Sequence, residues 1–178
     1  MTSMERSTLH TGKFLALIKE GRWEYAERVN ANGAVIIVAV TAEWKLLLVE
    51  QYRIPLHSRT IELPAGIVGD EPGASGETIA NAAKRELLEE AGYAAGQIKI
   101  LTTGPSSAGL ASELITLVMA FDLKRVHAGG GIDRENITVH EVPLDSLHDW
   151  LRMKEREGLL VEPKVYAGLY FLWRENGR

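Results

Sequence analysis

The chain has 178 residues, of which 46% are hydrophobic and 25% charged, with a formal net charge of −4 at pH 7. This is the composition of one compact globular domain. The sequence has no basic stripe of the kind that would indicate a nucleic-acid partner. The absence of cysteine excludes disulfides, thiolate metal sites and a cysteine nucleophile. Because we find neither a signal-peptide core nor an apolar run long enough for a bilayer, we expect a cytoplasmic protein without a membrane partner.

The first third of the chain predicts β-structure. Residues 14–19 and 23–29 are short strand-like runs that a hairpin turn at residues 20–22 can join. Residues 34–39, AVIIVA, form a β-branched run that is typical of a strand buried on both faces, and residues 45–50 predict a neighbouring strand. We assign residues 1–31 to an N-terminal β arm and residues 32–178 to the main domain.

A helix is predicted over residues 77–91, after a glycine-rich loop over residues 66–76. An apolar stripe follows one side of this helix, and Gly92 is placed to end it. Further along the chain, the pattern predicts strands over residues 114–121 and 137–142 and helices over residues 145–157 and 163–174. This order favours a mixed α/β layered domain.

Three carboxylates project from the same side of the predicted helix. Glu86 and Glu90 are four residues apart, and Glu89 lies three residues after Glu86. Like charges at this spacing repel one another, and a hard cation such as Mg²⁺ would relieve the repulsion, because it prefers carboxylate and phosphate oxygens. A solvated acidic helix face is the alternative interpretation of these three residues alone.

The surrounding segment resembles the Nudix box, G-x5-E-x7-R-E-U-x-E-E-x-G-U, in which U is aliphatic. Glu77, seven intervening residues and then Arg85-Glu86-Leu87-Leu88-Glu89-Glu90-Ala91-Gly92 match this pattern in type and spacing. The chain departs from it in having ten residues between Gly66 and Glu77 and a tyrosine at position 93. The resemblance implies a hydrolase with an α/β (α+β) Nudix fold, in which a mixed β-sheet is sandwiched between helices and an antiparallel β arm stands at the N-terminus.

The resemblance also implies roles for individual residues. Glu86 and Glu90 would be metal ligands, Glu89 a ligand or a nearby carboxylate, and the Ala65 carbonyl a further ligand. Glu77 and Arg85 would form an ion pair that braces the loop against the helix. The implied cofactor is Mg²⁺, with Mn²⁺ as an alternative, which would neutralise a diphosphate and lower the pKa of an attacking water.

Residues outside the box resemble the ADP-ribose pyrophosphatase branch of the family. They include Leu48 to Arg53, Glu62 to Gly66, and Trp23 with Arg28. In that branch, Trp23 and Arg28 would help to bind the base, Arg53 would contact the diphosphate, and Glu113 would bind ribose hydroxyls or metal. The branch also implies a homodimer that exchanges its β arms and a small-molecule nucleotide as substrate.

A carboxylate outside the helix is the expected general base, because metal-bound carboxylates are poor proton acceptors. Glu135 is our choice, since it follows three glycines in a segment that corresponds to an acid-bearing loop of the branch. Glu113 and Asp133 are the rival bases. His140 is expected to be structural.

Two other functions stay open, and a third lacks a residue that it would need. The chain could hydrolyse another nucleotide-sugar, such as GDP-mannose or ADP-glucose, or a dinucleoside polyphosphate. It could be a non-catalytic domain that senses nucleotides, although such a domain would be expected to lose box carboxylates. An isoprenoid diphosphate isomerase of the same fold would need a nucleophilic cysteine, which this chain does not have.

Overall fold

The computed structural model of the protein describes residues 5–31, 33–69, 76–132 and 136–175. Its strands are β1 (Arg6–Thr11), β2 (Leu15–Glu20), β3 (Trp23–Arg28), β4 (Ala34–Ala39), β5 (Lys45–Arg53), β6 (Ser58–Glu62), β7 (Ala65–Ile67), β8 (Tyr93–Pro105), β9 (Leu114–Arg125), β10 (Thr138–Pro143) and β11 (Leu160–Val161). Its helices are α1 (Ile79–Ala91), α2 (Leu147–Arg156) and α3 (Pro163–Glu175).

The strands form three sheets. The arm is an antiparallel sheet of order β1-β2-β3, and the main body holds two four-stranded sheets of orders β7-β4-β9-β8 and β10-β5-β6-β11. Both larger sheets are mixed, because β4 pairs with β9 in parallel and β6 pairs with β11 in parallel, while their other pairs are antiparallel. The predicted α/β (α+β) class with an antiparallel N-terminal arm is therefore confirmed.

Strand β4 is buried on both faces, as its sequence predicts. Val35 and Ile37 belong to an apolar cluster with α1, whereas Ile36 and Val38 belong to a second cluster with α2 and α3. Successive side chains of a strand alternate between its faces, so this one strand joins both halves of the core. The β7-β4-β9-β8 sheet is thus covered by α1 on one face and joins the cluster of α2 and α3 on the other.

Capping groups fix both ends of α1. Thr78 precedes the helix, and its side chain accepts a hydrogen bond from the backbone N–H of Asn81 at 3.2 Å. Gly92 ends the helix with a left-handed φ of 77°, where a Cβ would lie 2.3 Å from the backbone oxygen of His127. The helix therefore begins at Ile79, two residues later than predicted, because Thr78 is its N-cap.

The structure differs from the sequence-based prediction in several other elements. Strands β1 and β8 were not predicted, and both are largely exposed, so neither shows a continuous apolar run. The helix predicted over residues 145–157 is divided into a 3-10 turn at Leu144–Ser146 followed by α2. Strand β10 begins and ends one residue later than predicted. Within the described segments, no helix is long and apolar enough to cross a membrane.

Candidate active site

Two carboxylates of α1 line a cavity of about 400 Å³, to which both four-stranded sheets contribute. Glu86 and Glu90 are one helical turn apart and therefore share a face of the helix. Glu90 is only 6% exposed, and its Oε2 accepts the backbone N–H of Ala65 at 2.9 Å. Glu89 is not among the residues that line this cavity. The structure thus separates the three predicted carboxylates into two in the cavity and one outside it.

Arg85 connects the acidic helix to the preceding loop. Its Nε and Nη2 donate to the two oxygens of Glu77 at 3.0 and 3.2 Å, so the predicted ion pair is present. Its Nη1 also donates to Glu86 at 2.7 Å and to Glu89 at 3.3 Å, and its Nη2 donates to the backbone oxygen of Ile67 at 3.1 Å. The hydrogen bond with Glu77 raises the pKa of Arg85 and lowers the pKa of Glu77, so both remain charged.

Gly66 leaves room for the carboxyl group of Glu86. A Cβ on Gly66 would lie 1.8 Å from Cδ and 1.9 Å from Oε1 of Glu86, far closer than any real contact. Because β7 pairs with β4, which is buried in the core, the backbone at this glycine cannot easily move away. The glycine therefore leaves the space that the Glu86 carboxyl group occupies, and its φ is not unusual.

Two predicted arginines face the cavity, each paired with a carboxylate. Arg53 donates from Nε and Nη2 to the two oxygens of Glu62 at 2.8 and 2.6 Å, and Arg28 forms an ion pair with Glu113. Burial alone would raise the pKa of Glu62, but hydrogen bonds from Arg53 and Thr60 outweigh it and lower the pKa.

Trp23 lies outside the cavity that Glu86 and Glu90 line. It lines a separate cavity of about 320 Å³, together with Glu20, Tyr25, Ala108, Gly109, Ala111 and Ser112. Strand β3 holds this loop beside the tryptophan, because Ala26 donates to the backbone oxygen of Leu110 at 2.8 Å and accepts from Ser112 at 3.1 Å. Trp23 is 50% exposed, so it is not a core residue of the hairpin.

The structure places six of the predicted site residues around one cavity: Arg28, Arg53, Ala65, Glu86, Glu90 and Glu113. Arg85 and Glu77 stand behind them, and Glu135 lies outside the described residues, as does its rival Asp133. His140 is hydrogen-bonded through Nε2 to Oε2 of Glu50 at 3.0 Å, and its ring packs edge-on against Trp150. These contacts fit the structural role expected for it.

Three charged residues of the cavity were given no role from the sequence: Glu62, Glu162 and Lys164. Glu62 lies in a segment that resembles the ADP-ribose branch, so that resemblance could have indicated it. Glu162 and Lys164 lie about 100 residues beyond Glu62 and carry no local motif. The parallel pairing of β11 with β6 brings them to the site.

Among the residues that the structure describes, no group of three His, Cys, Asp or Glu side chains is arranged to hold a metal ion. The hydrogen bonds of Arg85 to Glu86 and Glu89 explain this, because they direct both carboxyl groups to the guanidinium. Small rotations of these side chains would be needed to bring the oxygens together on a cation.

Comparisons with known proteins identify relatives along the whole chain. A family model described as NUDIX domain matches residues 31–160. A methanol dehydrogenase activator of Bacillus methanolicus is 34% identical over 140 residues, which cover 77% of this chain and 72% of that protein. An ADP-ribose pyrophosphatase of Bacillus subtilis is 31% identical over 188 residues, which cover 98% of this chain and 97% of that protein.

A solved structure has the same fold. The crystal structure of an ADP compounds hydrolase superposes on this chain with a TM-score of 0.75, at 22% identity, and covers 99% of this chain and 96% of that one. At this identity, the likeness shows the fold alone. It includes the N-terminal arm, since nearly the whole chain is covered.

Proposed function

This chain belongs to the NUDIX domain family, and on that basis we propose that it hydrolyses the diphosphate bond of ADP-ribose to give AMP and ribose 5-phosphate. Water adds to one phosphorus, the bridging P–O bond breaks, and the bridging oxygen leaves with the other phosphate. The observation that carries the proposal is that Glu86, Glu90, Arg28 and Arg53 line one cavity. The full-length similarity to an ADP-ribose pyrophosphatase supports the choice of substrate.

The donor set of the cavity fits a hard divalent cation. Glu86, Glu90 and the Ala65 carbonyl offer only oxygen, which is what Mg²⁺ and Mn²⁺ prefer. The space that Gly66 leaves for Glu86 keeps this carboxylate in the cavity. We propose that these three groups hold Mg²⁺ and that Glu89 joins them or supports them from outside. When bound, the cation neutralises the diphosphate and makes the attacking water more acidic.

The charges of the chain's own residues explain how a diphosphate would be oriented. Arg53 is held on Glu62 through two N–H groups and keeps further donors for a phosphate oxygen. Arg28 stands beside Glu113, which we propose to accept hydrogen bonds from a ribose. Trp23 and Tyr25 offer aromatic surface for the base, although their cavity is distinct from that of α1 in this chain.

We keep Glu135 as the proposed general base. The helix carboxylates accept hydrogen bonds from Arg85 or from a backbone N–H and would also hold the cation, so they would accept a proton poorly. Glu135→Gln should lower kcat by about 10²–10⁴-fold and leave KM nearly unchanged. If Glu113→Gln lowers kcat by several hundredfold while Glu135→Gln lowers it less than fivefold, Glu113 is the general base.

We also propose that the arm exchanges between the subunits of a cytoplasmic homodimer. Leu15 and Leu17 of β2 are 50% and 41% exposed, while Ala16 and Ile18 on the opposite face are buried. An exposed aliphatic row on an antiparallel sheet favours coverage by another surface. A partner's arm laid there would bring its Trp23 closer to the carboxylates of α1.

An assay of several substrates tests the proposal. ADP-ribose, ADP-glucose and GDP-mannose are incubated with Mg²⁺ or Mn²⁺, and the products are separated by anion-exchange chromatography. We expect AMP and ribose 5-phosphate from ADP-ribose, and no turnover in EDTA. A kcat/KM for GDP-mannose more than tenfold above that for ADP-ribose would refute the substrate. Binding of ADP-ribose without any turnover of these compounds would favour the non-catalytic sensing domain.

A further inference from the structure

A third cation, Lys164, lines the cavity that contains Glu86 and Glu90. It forms an ion pair with Glu162, and both residues lie beyond residues 31–160, which the family model matches. We propose that Lys164 is a further substrate-binding residue whose ammonium group contacts the diphosphate, and that Glu162 positions it. This inference rests on the proposed function, because it assigns one more contact to the same substrate.

The backbone places this pair rigidly. Glu162 donates its N–H to the backbone oxygen of Ile61 in β6 at 2.9 Å, next to the strand's Glu62. Val165 then donates to the Glu162 oxygen at 2.9 Å, which begins the first turn of α3. Lys164 thus lies in the first turn of a 13-residue helix, tied to the strand that holds Arg53 through Glu62.

The cavity that Lys164 lines indicates which part of the substrate it contacts. Arg28, Arg53, Glu62 and Glu162 also line a neighbouring cavity of about 570 Å³, but Lys164 does not. The ammonium group therefore belongs to the side of the acidic helix, where a diphosphate would lie. The diphosphate carries the anionic oxygens, whereas the groups at its two ends offer mainly hydroxyls and rings.

The hydrogen-bonding capacity of the pair supports a ligand contact. An ammonium group has three donors, of which one faces Glu162, and the Lys164 side chain remains 31% exposed. The two arginines are also paired with carboxylates, because Arg53 uses two of its N–H groups on Glu62 and Arg28 is paired with Glu113. Lys164 can therefore add a phosphate oxygen without releasing its carboxylate.

Glu162 is unusual among the buried carboxylates. Within the described residues, its Oε2 is the one buried side-chain oxygen or nitrogen that lacks a hydrogen-bond partner. Burial raises the pKa of Glu162, and the opposing effect of Lys164 does not cancel it. A carboxylate that serves stability alone normally has both oxygens satisfied, and an incompletely satisfied one is typical of a functional site. This agrees with a carboxylate retained in order to hold Lys164 toward the cavity.

Four variants test the proposal: Lys164→Met, Lys164→Arg, Glu162→Gln and the control Lys154→Met. Lys154 is also paired with a glutamate, Glu157 at 2.9 Å, but it does not line the catalytic cavity. Steady-state kinetics with ADP-ribose are combined with calorimetric titration of α,β-methylene ADP-ribose, which is not cleaved at the bridging position. Melting temperatures show whether each variant folds.

We expect Lys164→Met to raise KM and the Kd of the analogue by about tenfold with little change in kcat. This is the pattern when a variant loses a contact that is equally strong in the bound substrate and in the transition state. Lys164→Arg should restore most of the affinity, Glu162→Gln should raise Kd at least threefold, and Lys154→Met should match the wild type. A Kd within twofold of wild type in Lys164→Met overturns the inference. If that variant does not fold, an unchanged Kd in Glu162→Gln overturns it equally.

The same experiment separates the two proposals. If the wild type cleaves ADP-ribose and the variants have an unchanged Kd, Lys164 has no role in binding, and the proposed function still stands. A wild-type protein that neither binds the analogue nor cleaves ADP-ribose overturns both. Cleavage of ADP-ribose by the wild type, together with a rise in Kd confined to Lys164→Met and Glu162→Gln, supports both.

Discussion

Replacing Gly66 with alanine tests how the site is built, because the change adds one methyl group and no charge. The new Cβ would lie 1.8 Å from Cδ of Glu86, whereas ordinary contacts begin at 3.4 Å. The Glu86 carboxyl group would therefore have to move by about 1.6 Å, the difference between these two distances. Arg85, which donates to Glu86 at 2.7 Å, resists that movement.

The expected result is a loss of activity with little loss of stability. A displacement of about 1 Å in a catalytic group can cost about 10²-fold in rate, which corresponds to about 2.7 kcal/mol of transition-state stabilisation. Glu86 is a proposed metal ligand, so we expect kcat/KM for ADP-ribose to fall at least a hundredfold. The concentration of Mg²⁺ that gives half-maximal activity should also rise. Both quantities come from initial rates over a series of Mg²⁺ concentrations.

Gly104→Ala is the matched control. An ideal Cβ at Gly104 meets no other atom within 4 Å, so the same change of residue type has no steric consequence there. We expect the activity of this variant to lie within twofold of the wild type. If Gly66→Ala retains more than a fifth of wild-type kcat/KM while it remains folded, the reasoning is refuted, and Glu86 is not needed at its observed position.

Three further predictions follow from the same contacts. In Glu90→Gln, the amide oxygen can still accept the Ala65 N–H, so the protein should fold with unchanged or higher thermal stability while kcat falls about 10³-fold. If the variant keeps more than a tenth of the wild-type rate, the three carboxylates of α1 are better explained as a solvated acidic helix face. Arg85 lowers the pKa of Glu77, so their ion pair stabilises the fold above the unfolded-state pKa of about 4.3, and this stabilisation is lost as the pH falls through the lower folded-state pKa. Glu77→Gln should therefore reduce the free energy of unfolding, measured with denaturant, by about 1.5–3 kcal/mol at pH 7 and by less at pH 3. A difference between wild type and variant that is the same at both pH values would contradict this. Light scattering should give twice the 19.6 kDa chain mass, and Leu17→Asp should reduce both mass and activity, whereas a fully active wild-type monomer would exclude the exchanged arm.

The sequence predicts the elements whose burial is regular. Residues 34–39 form a strand buried on both faces, as their unbroken apolar run predicts, and Gly92 ends α1 as expected. The same reasoning missed β8, because its exposed outer positions interrupt the apolar pattern. Propensity and periodicity describe what an element buries, so an exposed edge strand gives them little signal.

The candidate site was predictable where residue types repeat a family pattern. Glu86, Glu90 and Glu113 reach the cavity, and Arg85 meets Glu77 as the resemblance implies. Other pairings were not predictable, since the ion pair between Arg28 and Glu113 joins positions 85 residues apart. Such pairings are set by the register of the sheets and the rotamers of long side chains, which no local pattern records.

The contacts of Arg85 also decide how the protein responds when its cation is withdrawn. The guanidinium already gives Glu86 and Glu89 a positive partner and ties them to Glu77 and the Ile67 carbonyl. In small domains whose fold depends on a metal, chelation causes unfolding. Here the chain carries its own counter-ion, so a chelated sample should keep its melting behaviour and regain activity once the cation returns. The enzyme's rate would then follow the free cation concentration of its surroundings reversibly, without a cycle of unfolding and refolding.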